Sequence, residues 1–230
     1  MKKGFVFAVI LVLAFAGTAM AQTKLANTKH DLSSGSTAVI KATDTDQVCI
    51  FCHTPHRGSP ATRRPLWNHE ASATATLTWS PTKTTRGTDL PTDATAAAVA
   101  PSMACLSCHD GSIALGSVLV YYTGGSSGTK TFNVAGTNTT AGKLSGGSAL
   151  INPAAMQSNH PIGIPAPAAK TGYTPFKASP TADAQVVDYD ANGNVQCQSC
   201  HNPHLYSTIE APFLRKITAA SALCVTCHDL

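Results

Sequence analysis

Charge is scarce in this 230-residue chain: Asp, Glu, Lys and Arg together make up 12% of it. The 16 basic residues do not cluster, so the sequence offers no cationic field of the kind that grips nucleic acid, and no nucleic-acid partner is expected. Long hydrophobic runs are missing as well. Beyond the first 21 residues nothing approaches the roughly 20 consecutive apolar residues of a membrane-crossing helix. No self-similarity with a period of about 20 to 50 residues is present, which excludes a solenoid. No βαβ pattern surrounds a cysteine pair, which argues against a thioredoxin-like dithiol. No cysteine stands alone: all eight fall into Cys-x-x-Cys pairs. None sits directly after the N-terminal leader, where a bacterial lipid anchor would need one.

That leader is Met1 to Ala21. Lys2 and Lys3 precede the apolar run FVFAVILVLAFAG, and small residues follow to Ala19-Met20-Ala21. This is the layout of a secretory signal cut before Gln22, with an uncleaved membrane anchor as the alternative. Residues 1–21 are therefore expected to be removed, and 22–230 to form one exported domain. Losing Lys2 and Lys3 leaves 14 basic residues against 12 acidic ones, a formal +2.

The four cysteine pairs are CIFCH (Cys49, Cys52), CLSCH (Cys105, Cys108), CQSCH (Cys197, Cys200) and CVTCH (Cys224, Cys227), each followed at once by a histidine: His53, His109, His201 and His228. Zinc uses Cys-x-x-Cys, but it needs a second pair to close its tetrahedron and does not require the adjacent His. Disulfides suit an exported chain, yet a bridge across two residues closes too small a loop to be a useful staple. Covalent c-type haem explains every regularity at once. The two thiols add to the haem vinyl groups, and on a helical turn positions i, i+3 and i+4 share a face, so the imidazole is delivered to the iron. Nine histidines in 230 residues make four such coincidences a chance on the order of one in several hundred thousand. Four c-type haems are expected, with His53, His109, His201 and His228 as proximal iron ligands.

Five histidines remain: His30, His56, His69, His160 and His204. All five are candidate distal ligands, since four irons have four distal positions and neutral imidazole suits iron. His56 and His204 follow their motifs as CHTPH and CHNPH, where Pro55 and Pro203 end the helix and turn the second imidazole away from its own haem. Met103 and Met156 are rival axial ligands that would raise the potential. With enough histidines to close every iron, the reading is an electron carrier and not an enzyme, because a haem that acts on substrate keeps a position open.

The motifs are separated by residues 54–104, 110–196 and 202–223. The fold class expected is a multihaem cytochrome c: mostly irregular chain, short helices at the motifs, one small β-hairpin, and a core built on four stacked haems. The hairpin is read from SIALGSVLVYYTGGSSGTKTFNVAG, with a turn at Gly124 to Gly128 and a return run after Lys130. Residues 71–98, rich in Thr and Ala, read as surface loop with a short helix near Ala94 to Val99. Haem propionates would bring about two negative charges each, and Arg57, Arg63, Arg64 and Arg86 are candidate partners for them.

Taken together, CIFCHTPH, RPLWNHE, ACLSCHDGSIALG, NHPIGI and CVTCHDL resemble the doubled-CxxCH multihaem c-type cytochromes of metal-respiring bacteria. Within them the chain looks most like the outer-surface tetrahaem cytochromes that form filaments, or nanowires. The resemblance covers most of 29–230 except the Gly/Ser/Thr-rich 123–150. It implies a head-to-tail homopolymer at the cell surface that takes electrons from redox partner cytochromes to extracellular acceptors. It also implies that one haem takes its distal histidine from the adjacent subunit. His30, on an N-terminal arm, is the candidate for that ligand. A soluble periplasmic tetrahaem shuttle and a multihaem reductase are the alternatives.

Overall fold

The computed structural model describes residues 25–57, 66–79, 93–95, 97–123, 125–147, 149–156, 159–163, 190–205, 213–216 and 218–228. The leader, Arg63, Arg64 and Arg86 lie outside them. Among the described residues no helix is long and apolar enough to cross a membrane.

Regular structure is short and scattered. Strands β1 (Lys41–Ala42) and β6 (Val134–Ala135), β2 (Thr76–Thr78) and β3 (Asp93–Thr95), β4 (Ser117–Thr123) and β5 (Ser126–Thr131), and β7 (Thr139–Thr140) and β8 (Lys143–Leu144) pair as four antiparallel ribbons. Among the described residues helix is found at Met103–His109, Cys197–Cys200 and the 3-10 turns Ala100–Ser102, Ala219–Ser221 and Cys224–Thr226.

A hairpin occupies the stretch read as one. In β4 the side chains alternate, with Val118 and Val120 buried, as a half-buried strand requires. Its partner β5 is exposed along its whole length and begins at Ser126, not after Lys130. Ser, Gly and Thr give it no apolar side, so backbone pairing alone carries it. The described parts of 71–98, residues 71–79, 93–95 and 97–98, differ from the loop with at most a short helix expected there. Leu77 and Trp79 alternate with threonines and are buried at 0% and 4% exposure, and residues near Ala94 pair with them as β3 instead of starting a helix. The Thr-rich composition concealed a strand period of two.

Two small apolar clusters hold these pieces. One gathers Leu77, Trp79, Val99, Met103, Leu106 and Met156, among others, with Cys197 against its edge. The other gathers Phe51, Leu115, Val118, Phe132, Val134 and Leu144, with Cys52 and Cys108 against it. The Met103–His109 helix joins the two: Met103 and Leu106 enter the first cluster and Cys108 touches the second. Both core methionines serve packing, and the Met156 sulfur faces the Asn159 side-chain amide at 4.0 Å.

Phe132 is central to the second cluster, meeting Phe51 edge-on at 5.6 Å and Tyr121 at 5.3 Å. Its amide donates to the Gly116 carbonyl at 2.9 Å, and a methyl group on Gly116 would collide with the Phe132 carbonyl. Gly116→Ala is therefore expected to destabilise the protein by about 1–3 kcal/mol through overpacking. Thermal unfolding checks this, and an unchanged midpoint would contradict it.

Candidate functional site

The motifs form turns of one kind. The amide of His53 donates to the Cys49 carbonyl at 2.8 Å, that of His201 to Cys197 at 3.0 Å and that of His228 to Cys224 at 2.8 Å. In the second motif the same i to i+4 relation lies inside the Met103–His109 helix. Each turn puts two thiols and an imidazole on one side. The helix at the third motif stops at Cys200, with His201 already extended at φ −115° and ψ 141°.

The first and third motifs share a larger frame that the sequence did not reveal. His53 bridges Trp67, and His201 bridges Leu214, in both cases antiparallel. Around the first bridge, Thr54 N–H donates to the Leu66 carbonyl and Asn68 N–H to that of Cys52. Around the second, Asn202 N–H donates to Phe213 and Arg215 N–H to Cys200. Leu66 and Phe213 both adopt positive φ, 61° and 70°. The side chains of Asn68 and Arg215 then reach back to the carbonyls of Ile50 and Gln198, at 2.8 and 2.7 Å. The only textual trace is Pro-Leu-Trp-Asn against Pro-Phe-Leu-Arg, too unlike in chemistry to flag a repeat. Asn68 further exchanges two hydrogen bonds with Val120, fastening the first unit to β4.

No disulfide joins the eight cysteines, and thiols of different motifs influence one another. Burial pushes the Cys52 thiol up to about 12, with Cys108 of the second motif adding to the effect. Burial also raises Cys108 to about 11. Cys105 donates a hydrogen bond to Cys197 of the third motif, which lowers that thiol. Cys200 is raised to about 11 by burial and then by Cys227 and Cys224 of the fourth. The first motif is thus electrostatically coupled to the second, the second hydrogen-bonded to the third and the third coupled to the fourth, while the His53–His204 pair also brings the first beside the chain that follows the third.

The imidazoles come in twos. His53 and His204 have ring centres 6.0 Å apart, His30 and His109 6.0 Å, and His160 and His228 6.1 Å. In every pair a motif histidine meets a non-motif one. A metal–nitrogen bond of about 2 Å on each side, plus roughly 1 Å from ring centre to nitrogen, spaces two axial imidazoles about 6 Å apart across one iron. Among the described residues no three His, Cys, Asp or Glu side chains gather in the manner of a self-sufficient metal site. Two imidazoles are what a porphyrin, supplying four nitrogens itself, leaves to the protein.

Protonation suits the same role. His109 Nδ1 faces the Ala149 carbonyl at 2.7 Å and His160 Nδ1 faces that of Pro161 at 2.8 Å. A carbonyl only accepts, so in the neutral rings Nδ1 carries the proton and Nε2 keeps its lone pair. Burial, reinforced by His109, lowers His30 to about 4, and burial also lowers His53 and His201. Neutral imidazole is the metal-binding form.

Two candidates stand apart. His56 is exposed. His69 is completely buried, without a hydrogen-bond partner on either ring nitrogen, and burial lowers it to about 4. The Phe51 carbonyl opposes that shift weakly, from outside hydrogen-bond geometry. Neither forms a ring pair with His201. A cavity of about 460 Å³ opens over the first motif, lined by Cys49, Ile50, His53, Val120, Tyr121 and Tyr122. His30 also stacks on Phe213 of the third unit at 4.3 Å. Of the expected propionate partners, Arg57 is described and exposed.

No protein-family model matches the chain, and no curated protein matches it.

Gln196, completely buried, locks the second motif to the third. It accepts from Ser102 Oγ at 2.6 Å and donates to the Ala98 carbonyl and Asp190 Oδ2, both at 2.8 Å. Gln196→Leu leaves these groups unmatched and is expected to cost about 3 kcal/mol. Burial pushes Asp190 up, but donors from Asn194, Asn192 and Gln196 outweigh it and hold the carboxyl below its ordinary range. A depressed carboxylate stabilises the fold above its unfolded pKa of about 3.9 and loses that contribution as pH falls through the lower folded value. The deficit of Gln196→Leu should accordingly be largest at neutral pH and shrink in acid. Denaturant unfolding across pH checks the pattern, and a pH-independent deficit would contradict it.

Proposed function

We propose that the chain is an electron-transfer protein holding four covalent c-type haems in series, and that it works as the subunit of an extracellular filament. The observation that carries this reading is the pairing of three motif histidines with three non-motif histidines at one-metal spacing. It is supported by the burial that keeps His30 neutral and by the carbonyls facing Nδ1 of His109 and His160, which leave Nε2 free to bind.

Each haem supplies a one-electron iron couple when bound; the protein fixes its place. Cys49/Cys52, Cys105/Cys108, Cys197/Cys200 and Cys224/Cys227 tether the four groups. His53 with His204, His109 with His30, and His228 with His160 would ligate the irons of three. Electrons would enter and leave at the haems of the first and fourth motifs, whose Cys49 and Cys224 are exposed.

His30, given above to a neighbouring chain, has an imidazole partner in its own second motif. Of the two histidines left for His201, an intermolecular ligand must be reachable, and His56 is exposed while His69 is not. We therefore move the bond between subunits to His56.

Electron microscopy of material sheared from the producing cells tests the assembly. Native protein is expected as filaments with a regular repeat. His56→Ala should keep four haems but appear as dispersed subunits, whereas His30→Ala should still polymerise and gain a ferric high-spin signal at one haem. Dispersed native subunits would favour the periplasmic shuttle. A high-spin haem in the native protein would favour the reductase.

A further inference from the structure

Trp67 stands opposite His53 in the bridge that frames the first motif. Its flanking hydrogen bonds, Thr54 to Leu66 and Asn68 to Cys52, make this a non-hydrogen-bonded pair, the kind that brings side chains closest on one face. The indole meets the imidazole edge-on, 6.1 Å between centres at 88°. An indole nitrogen can only donate. Here Nε1 is buried and finds no acceptor in the protein. On the other side of the indole lies His69, 6.3 Å away, completely buried with both nitrogens unpartnered. Two adjacent residues thus bring three unmatched nitrogens to the flank of one motif.

The second unit supplies the comparison. At the equivalent of Trp67 it has Leu214, in the same bridge with the same flanking bonds. The frame closes without an indole, so its geometry does not account for Trp67. What distinguishes Trp67 from Leu214 chemically is larger aromatic bulk and one N–H donor.

We propose that the Trp67 indole N–H donates to a propionate carboxylate of the haem held by Cys49, Cys52 and His53. The inference rests on the haem reading above. A carboxylate is the strong acceptor that such a group brings to its own flank, and a donor to an ionised acceptor forms a short, strong bond. Trp67 is a positioning residue: it fixes the rotation of the haem edge beside His53 and offsets negative charge near that iron.

The test compares haem-loaded native protein with Trp67→Leu, which copies the second unit, and Trp67→Phe, which keeps an aromatic ring without the N–H. Denaturing mass should show four haems in all three. Resonance Raman should show the propionate-bending band of one haem shifted in both variants. One of the four one-electron steps should move to lower potential, since a less compensated carboxylate favours ferric iron, while the other three stay in place. Unchanged bands and potentials in both variants would overturn the proposal. So would a change in Trp67→Leu alone, because that would trace the effect to ring packing. Native protein lacking four covalent haems would overturn the haem reading itself, and the mass spectrum decides that before any variant is compared.

Discussion

Each motif depends on one short hydrogen bond, from the histidine amide back to the carbonyl of the first cysteine. A chain turned in this way cannot scatter its two thiols and imidazole; it presents them together. The remaining structure holds four such turns together. Among the described residues the buried apolar side chains divide into two clusters of eight and seven, and ribbons of two strands are marginal on their own. On the proposed function, covalent groups between the clusters complete the core. That explains why cysteines of three different motifs lie against cluster edges and not at the surface.

Burial then sets the chemistry. The same desolvation that keeps His30 and His69 uncharged raises Cys52, Cys108 and Cys200. Uncharged imidazoles can ligate iron, while protonated thiols are poor nucleophiles and poor partners for exchange. Cys197 is the exception, lowered to about 7 by the Cys105 thiol, so it is the neutral imidazoles and not the thiols as a set that favour metal ligation. Tautomers follow the same logic at His109 and His160, where a backbone carbonyl takes the Nδ1 proton and frees Nε2.

The cysteine motifs were legible in the sequence because attachment is local: five consecutive residues contain the whole turn. The hairpin was legible because valines and tyrosines announce a strand. The pairing of imidazoles was not, since His30 meets His109 and His53 meets His204 across long stretches of chain. The repeat between the first and third units was hidden for another reason. Its shared elements are backbone hydrogen bonds and positive φ angles, which Leu66 and Phe213, or Asn68 and Arg215, satisfy with unlike side chains. Gln196 escaped notice because a glutamine before a motif carries no signal; its role comes from Ser102, Ala98 and Asp190, which packing brings to it. Trp67 looked like one more apolar residue until its nitrogen proved buried without an acceptor.

The most direct measurement is the denaturing mass and iron content of the protein exported from a host able to attach haem. Four haems per chain, four irons and no alkylatable thiol are predicted. Stoichiometric zinc, or eight thiols recovered after reduction with no haem attached, would contradict the account at its root.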